Sequence, residues 1–375
     1  MFEFDNIEPT FVSLVLALLP QLERLCISQS NQATRDEPEP LELNDYVYPR
    51  PGITYLKILS SLPASLDGLS VFPNLRTLDI STKLAGLSQR AISRNSELYA
   101  STTTISAFKK IRHLRLDFQV KTVGIWDLGA RACLTSILQA THDLESLDFY
   151  AEPSDSKNPF RSVRAFPHYQ ANIQNYPDVS SPLDPNVEDQ PYWDERIYDA
   201  RTDITDYQNL VDAIVHLRPS LETLRLPGGF WALPGGMRKP LPRFDGFVQL
   251  KTLILPQAAI ISIKLDNMRF ADVSGDFDLS PITVLPSSLQ NLKIFDADIS
   301  LLASSWLWEL FITQKNCNQW PELQRLEILF GPYGYYGEVE MLLSRQSQQV
   351  FWTWVDEATF EVFVGKDDEV PSVSL

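Results

Sequence analysis

Any chemistry in this chain would have to be built from few reactive groups. There are four histidines: His113, His142, His168 and His216. A metal hydrolase of the H-E-x-x-H kind needs two histidines one helical turn apart with an acid beside them, so that all reach one ion. None of the four has Asp or Glu at such a spacing. Each reads as a strand, core or surface residue. The three cysteines, Cys26, Cys133 and Cys317, lie far apart and carry neither a C-x-x-C pair nor a nucleophile signature. No G-x-S-x-G elbow is present. The glycine pairs Gly228-Gly229 and Gly235-Gly236 occur without G-x-G-x-x-G or G-K-[ST], so they read as turns and not as a phosphate cradle. The acidic phrase Asp272 to Asp278 lacks the spacing of a calcium loop. The expectation is no catalytic residue, no metal ligand and no cofactor.

What the chain does repeat is the phrase L-x-x-L-x-L. It occurs nine times, at Leu22-Leu25-Ile27, Ile53-Leu56-Ile58, Leu75-Leu78-Ile80, Ile111-Leu114-Leu116, Leu144-Leu147-Phe149, Leu221-Leu224-Leu226, Leu250-Leu253-Leu255, Leu289-Leu292-Ile294 and Leu323-Leu326-Ile328. The last two apolar positions are two apart, so in a strand both point to one face and the residue between them to the other. Such a strand buries its apolar face by stacking on a copy of itself. Copies start 22 to 39 residues apart, except for one interval of 77 between Leu144 and Leu221. Most intervals leave room for a helix. Helical periodicity is expected over Trp126–Ala140, Ile204–Leu217, Ile299–Ile312 and Glu338–Leu343, with Asp203 and Asp298 as caps. Strands joined through helices make right-handed crossovers, hence a parallel sheet. The expected fold is α/β: one irregular leucine-rich-repeat solenoid over residues 1–375, a curved parallel sheet inside and helices and loops outside.

Two excursions interrupt it. Residues 151–202 hold seven prolines and little periodicity, and read as an acidic inserted loop. Pro227–Pro242 is a shorter one. Residues 331–375 are expected to cap the array, with strands at Val350–Val355 and Thr359–Val364 and a frayed tail from Lys366. The run Phe11–Leu19 lacks a basic lead and is too short to span a bilayer, so it reads as a buried helix.

Partner chemistry follows from charge. Lys and Arg number 32 against 48 Asp and Glu, a net charge of -16 that repels nucleic acid and anionic lipid. Across the nine phrases, the two residues before and the one between the last two apolar positions include nine basic and six acidic side chains, near +3. Charge is thus partitioned toward one face. The expected partner-binding residues are Arg76, Arg112, Arg115, Asp148, Arg225, Lys251, Lys293 and Arg325. They would grip a protein partner through its acidic segments. No nucleic-acid or membrane partner is expected, and the scarcity of cysteine suits the cytoplasm or nucleus.

FPNLRTLDIS, LRPSLETLRLP, FVQLKTLILP and LALLPQLERLCIS resemble the repeat region of fungal F-box/leucine-rich-repeat proteins. That resemblance implies a substrate-holding repeat domain of the cullin–RING ubiquitin-ligase class. No L-P-x-E-[LI] opening of an F-box precedes the first phrase. Asn or Cys three residues past the phrase, which would form an asparagine ladder, is also missing. Two other readings stay open. One is an enzyme whose site lies in loops around His168, Trp193 and Trp231. The other is an orphan repeat protein with no dedicated role.

Overall fold

A computed structural model of the chain describes residues 2–5, 19, 21–28, 52–59, 67–83, 108–120, 137–153, 207–227, 243–261, 280–297, 299–330 and 348–366. The last two apolar positions of the nine phrases lie on strands, apart from Leu226, one residue past its strand. The strands are β2 (Arg24–Ser28), β3 (Tyr55–Leu59), β4 (Thr77–Lys83), β5 (His113–Val120), β6 (Ser146–Pro153), β7 (Thr223–Arg225), β8 (Thr252–Pro256), β9 (Asn291–Ala297) and β10 (Arg325–Phe330). The edge strands β1 (Phe2–Asp5) and β11 (Glu361–Lys366) complete an open eleven-stranded sheet in simple sequence order. Every pairing is parallel.

The physical reason is visible in the burial. The last two apolar positions of every copy, from Leu25 and Ile27 to Leu326 and Ile328, are at most 3% exposed. Because the registers align like positions, with Leu56 on Leu78 and Leu78 on Leu114, these side chains form one continuous apolar layer. At about 25 cal/mol per Å² of apolar area removed from water, this layer is the main source of cohesion.

Between strands the chain builds short helices: α1 (Tyr207–Ala213), α2 (Pro281–Val284), α3 (Ser305–Cys317) and α4 (Gln349–Glu357), with 3-10 turns at Asp67–Val71, Val215–Leu217, Gln257–Ala259 and Ile299–Ala303. They add Leu69, Leu210, Trp306 and Phe351 to the same core. The helix expected over Ile204–Leu217 is α1 followed by a 3-10 turn. That expected over Ile299–Ile312 starts as a 3-10 turn, and the α-helix begins at Ser305. Ser304 caps that α-helix, its Oγ accepting from Leu307 N at 3.2 Å. Asp203, Asp298, the Glu338–Leu343 helix and all but residues 137–140 of the Trp126–Ala140 helix lie outside the described residues, as does Phe11–Leu19 apart from Leu19.

Three expectations need correction. Val350–Val355 is not a strand but most of α4. Its valines and aromatics mimic a strand, yet Phe351 and Trp354, one turn apart, both approach Phe311 (6.4 and 6.0 Å between rings). Secondly, β1 is an additional strand, since Phe2 to Asp5 lacks the full phrase. Thirdly, the excursion expected at 151 begins later, because β6 runs on through Pro153. The remainder of 151–202 and most of Pro227–Pro242 lie outside the described residues. Thr359–Val364 does supply a strand, which runs to Lys366. No helix among the described residues is long and apolar enough to cross a membrane.

Candidate binding surface

The face opposite the leucines is assembled from rows, one side chain per strand. The first row sits where each strand starts. There, one backbone carbonyl per copy accepts two N–H groups from the next copy. Thr54 O accepts from Arg76 N and Thr77 N (2.9 and 3.0 Å), and Arg76 O from Arg112 N and His113 N (2.8 and 3.0 Å). The pattern repeats to Gln290 O, which accepts from Gln324 N and Arg325 N at 2.8 and 3.2 Å. This backbone ladder satisfies the strand entrances whatever side chain the position carries. Copies can therefore stack without the asparagine ladder that the sequence lacks.

The row between the leucines runs in register Cys26, Lys57, Asp79, Arg115, Asp148, Arg225, Ile254, Lys293, Glu327, Phe363. From Lys57 to Arg225 the signs alternate strictly. Neighbouring strands are about 4.8 Å apart, so Asp79, Arg115 and Asp148 each have an opposite charge on either side, and Lys57 and Arg225 on one. Lys57 Nζ lies 3.7 Å from Asp79 Oδ2, and Lys293 Nζ lies 3.8 Å from Glu327 Oε2. Much of the basic count expected on this face is therefore compensated within the sheet.

Burial decides what the acids do. Asp79 is only 6% exposed; Tyr55 Oη donates to its Oδ2 at 3.2 Å, while its Oδ1 has no hydrogen-bond partner. Asp117 also keeps a buried, unbonded Oδ1, and Ser81 Oγ donates to its Oδ2 at 3.3 Å. Desolvation raises the Asp117 carboxyl above its usual range against the pull of Arg115 and Ser81. It raises Asp148 too, against the pull of Arg225 and Arg115. Burial first, then the Asp79 charge, raises the Tyr55 phenol.

Aromatic rings order the arginines. Tyr150 lies between Arg115 and Arg225, whose guanidinium carbons are 4.3 and 4.2 Å from its ring centroid. Arg225 also stands 5.1 Å from the Phe295 ring, and it is 8% exposed. Arg24 stacks on Tyr55 at 4.3 Å.

The eight residues expected to bind a partner thus fall into different situations. Arg76 and Arg115 are exposed. Arg112 stands at the entrance of β5, where its Nη1 donates to Asp143 O at 2.9 Å and pairs with Asp143 and Glu145 at 3.8 and 3.9 Å. Lys251 is paired with Glu222 at 2.9 Å. Arg325 contacts Glu327 at 2.7 Å and Glu361 at 3.5 Å. Asp148 and Lys293 are partly covered, and Arg225 is buried. Sequence reasoning passed over Lys109 and Lys110, both exposed on the turn into β5. The signal was the run Lys109-Lys110-Ile111-Arg112-His113-Leu114-Arg115, whose only apolar members face the core.

His142 and His216 approach edge to face at 6.3 Å, with His216 Nε2 2.7 Å from Thr141 O. Among the described residues no group of three His, Cys, Asp or Glu is placed to hold a metal ion. His168, Trp193, Trp231, Cys133 and the Asp272–Asp278 phrase lie outside the described residues. Comparison with family models, with curated proteins and with solved structures returned no match.

Proposed function

We propose that the chain is an irregular leucine-rich-repeat solenoid acting as a non-catalytic protein-interaction scaffold. The partner lies on the sheet face opposite the leucines, the concave face of such a solenoid. The observation that carries the reading is that successive strands present like positions in one register, with charged and aromatic side chains held in rows by the backbone ladder. A broad, ordered, polar surface on a rigid sheet suits recognition of an extended partner. The repeat phrases resemble the substrate-holding region of F-box proteins, which makes capture of a ligase substrate the favoured form of this role, in the cytoplasm or nucleus. No cofactor enters it.

The test is site-specific photocrosslinking in cells, with a photoreactive residue at position 115 or 325 on the sheet face, or at 282 or 308 on the helical side. The same protein adduct from both sheet positions, absent from the helical ones, is expected. Adducts confined to the helical side would sink the reading.

A further inference from the structure

Within a chain of net charge -16, seven consecutive residues, Lys109 to Arg115, contain four Lys or Arg, one His and no acid. The fold turns that run into a patch. Ile111 and Leu114 are at most 1% exposed, which anchors the segment and turns its basic side chains outward. Lys109, Lys110, His113 and Arg115 are exposed and Arg112 partly so. Arg76 joins them from the neighbouring strand, because its carbonyl accepts the Arg112 and His113 N–H groups. Lys110 Nζ reaches back to Pro73 O at 3.2 Å, which ties the two entrances together.

The cations differ in how far they are neutralised. Arg112 and His113 face Asp143 and Glu145 from the next copy. Arg76 and Lys109 have no ion-pair partner among the described residues. Arg115 is held by Tyr150 through its ring face and stands in register between Asp79 and Asp148. Burial raises the nearby Asp117 carboxyl above its ordinary value, against the pull of Arg115.

We infer that the entrance of β4 and β5, centred on Arg76, Lys109, Arg112 and Arg115, is a docking patch for a carboxylate-rich peptide segment of a protein partner. Charge complementarity argues for such an occupant. At the patch Arg76 and Lys109 carry charge with no ion-pair partner among the described residues, on a chain of net charge -16, so an acidic segment is attracted there at short range while the rest of the surface repels unselective polyanions. A duplex or long single strand would lay its phosphates over that anionic surface as well, which disfavours nucleic acid. The assignment rests on the interaction reading of the sheet face and narrows it to one end of two strands.

The test uses the whole chain and a fluorescein-labelled peptide of alternating Glu and Ser, about a dozen residues long, read by fluorescence anisotropy. Binding that weakens as salt rises from about 0.05 M to about 0.3 M is expected. The double variant Arg76→Glu/Lys109→Glu should bind at least about tenfold more weakly with an unchanged melting temperature. Arg243→Glu, in the loop before β8, should stay within about twofold. No peptide binding to the natural chain, a double variant within twofold of it, or equal loss in Arg243→Glu overturns the assignment. So does tighter binding of an oligothymidine of similar length. Crosslinks at positions 115 and 325 that persist after such a failure would leave the scaffold reading standing and remove only this patch.

Discussion

Arg225 and Tyr150 stack with the guanidinium carbon 4.2 Å from the ring centroid, and the Arg115 guanidinium carbon lies 4.3 Å from the same centroid. Asp148 lies in register between the two arginines. The middle of the sheet face is therefore a closed unit in which charge, ring and counter-charge fix one another. The two arginines differ in exposure, and that difference separates structure from recognition.

Reversing Arg225 should unfold the chain more readily. Arg225→Glu places an acid beside Asp148 in a site only 8% exposed and is expected to cost about 3 kcal/mol. Arg115→Glu, at an exposed position beside Asp79 and Asp148, should cost less, about 1–2 kcal/mol. Urea denaturation of the two variants measures the contrast; equal losses would mean that Arg225 is not the structural member of the pair.

Asp117 gives a pH dependence with a definite sign. Its folded-state pKa is raised above the ordinary 3.8 by desolvation, so folding favours its protonated form. Its contribution to stability is fully present below the unfolded value and is lost as pH rises through the raised folded value. Asp117→Asn should thus melt higher than the natural chain at about pH 7, with the gap closing toward about pH 4. Thermal melts across that range check it, and a gap that widens on acidification would contradict the buried, desolvated placement.

Gln314 should be hard to replace. It is 5% exposed on α3, its Nε2 donates to Trp320 O at 3.0 Å, and its Oε1 accepts from Trp320 N at 3.0 Å. The side chain thereby closes the helix end, where Asn318 adopts φ 47°, onto the turn entering β10. Gln314→Leu leaves Trp320 N buried and unpaired, while Trp320 O keeps its bond from Leu323 N (3.0 Å), and should cost about 1–3 kcal/mol. Gln314→Glu keeps the acceptor alone and should lose less than the leucine variant. Chemical denaturation ranks the two.

The leucine layer should respond as a well-packed core in both halves of the array. Leu78 and Leu292 are at most 1% exposed, and either one changed to alanine is expected to cost about 2–5 kcal/mol. Asn291→Ala, on the polar face beside Leu292, should change stability by about 0.5 kcal/mol or less. Calorimetric melts of the three variants test the assignment of faces, and a reversed ranking would mean that the register is inverted.

The phrase L-x-x-L-x-L by itself determined the strands, their direction and their buried face. Period-two alternation leaves one way to hide the leucines, and intervals long enough for a crossover demand parallel pairing. The local pattern failed where composition and packing disagree. Val350 to Val355 looks like a strand in isolation, and only the ring of Phe311, supplied by another element, makes Phe351 and Trp354 a helical pair. The charge count across the nine phrases was correct as a sum, but a sum has no neighbours. Strand order and register set Lys57 against Asp79 and placed Asp148 between Arg115 and Arg225, which a count over separate phrases does not contain. Burial of Arg225, exposure of Arg76 and the gathering of Arg76 with Lys109 and Arg112 were likewise decided by stacking one strand entrance on the next.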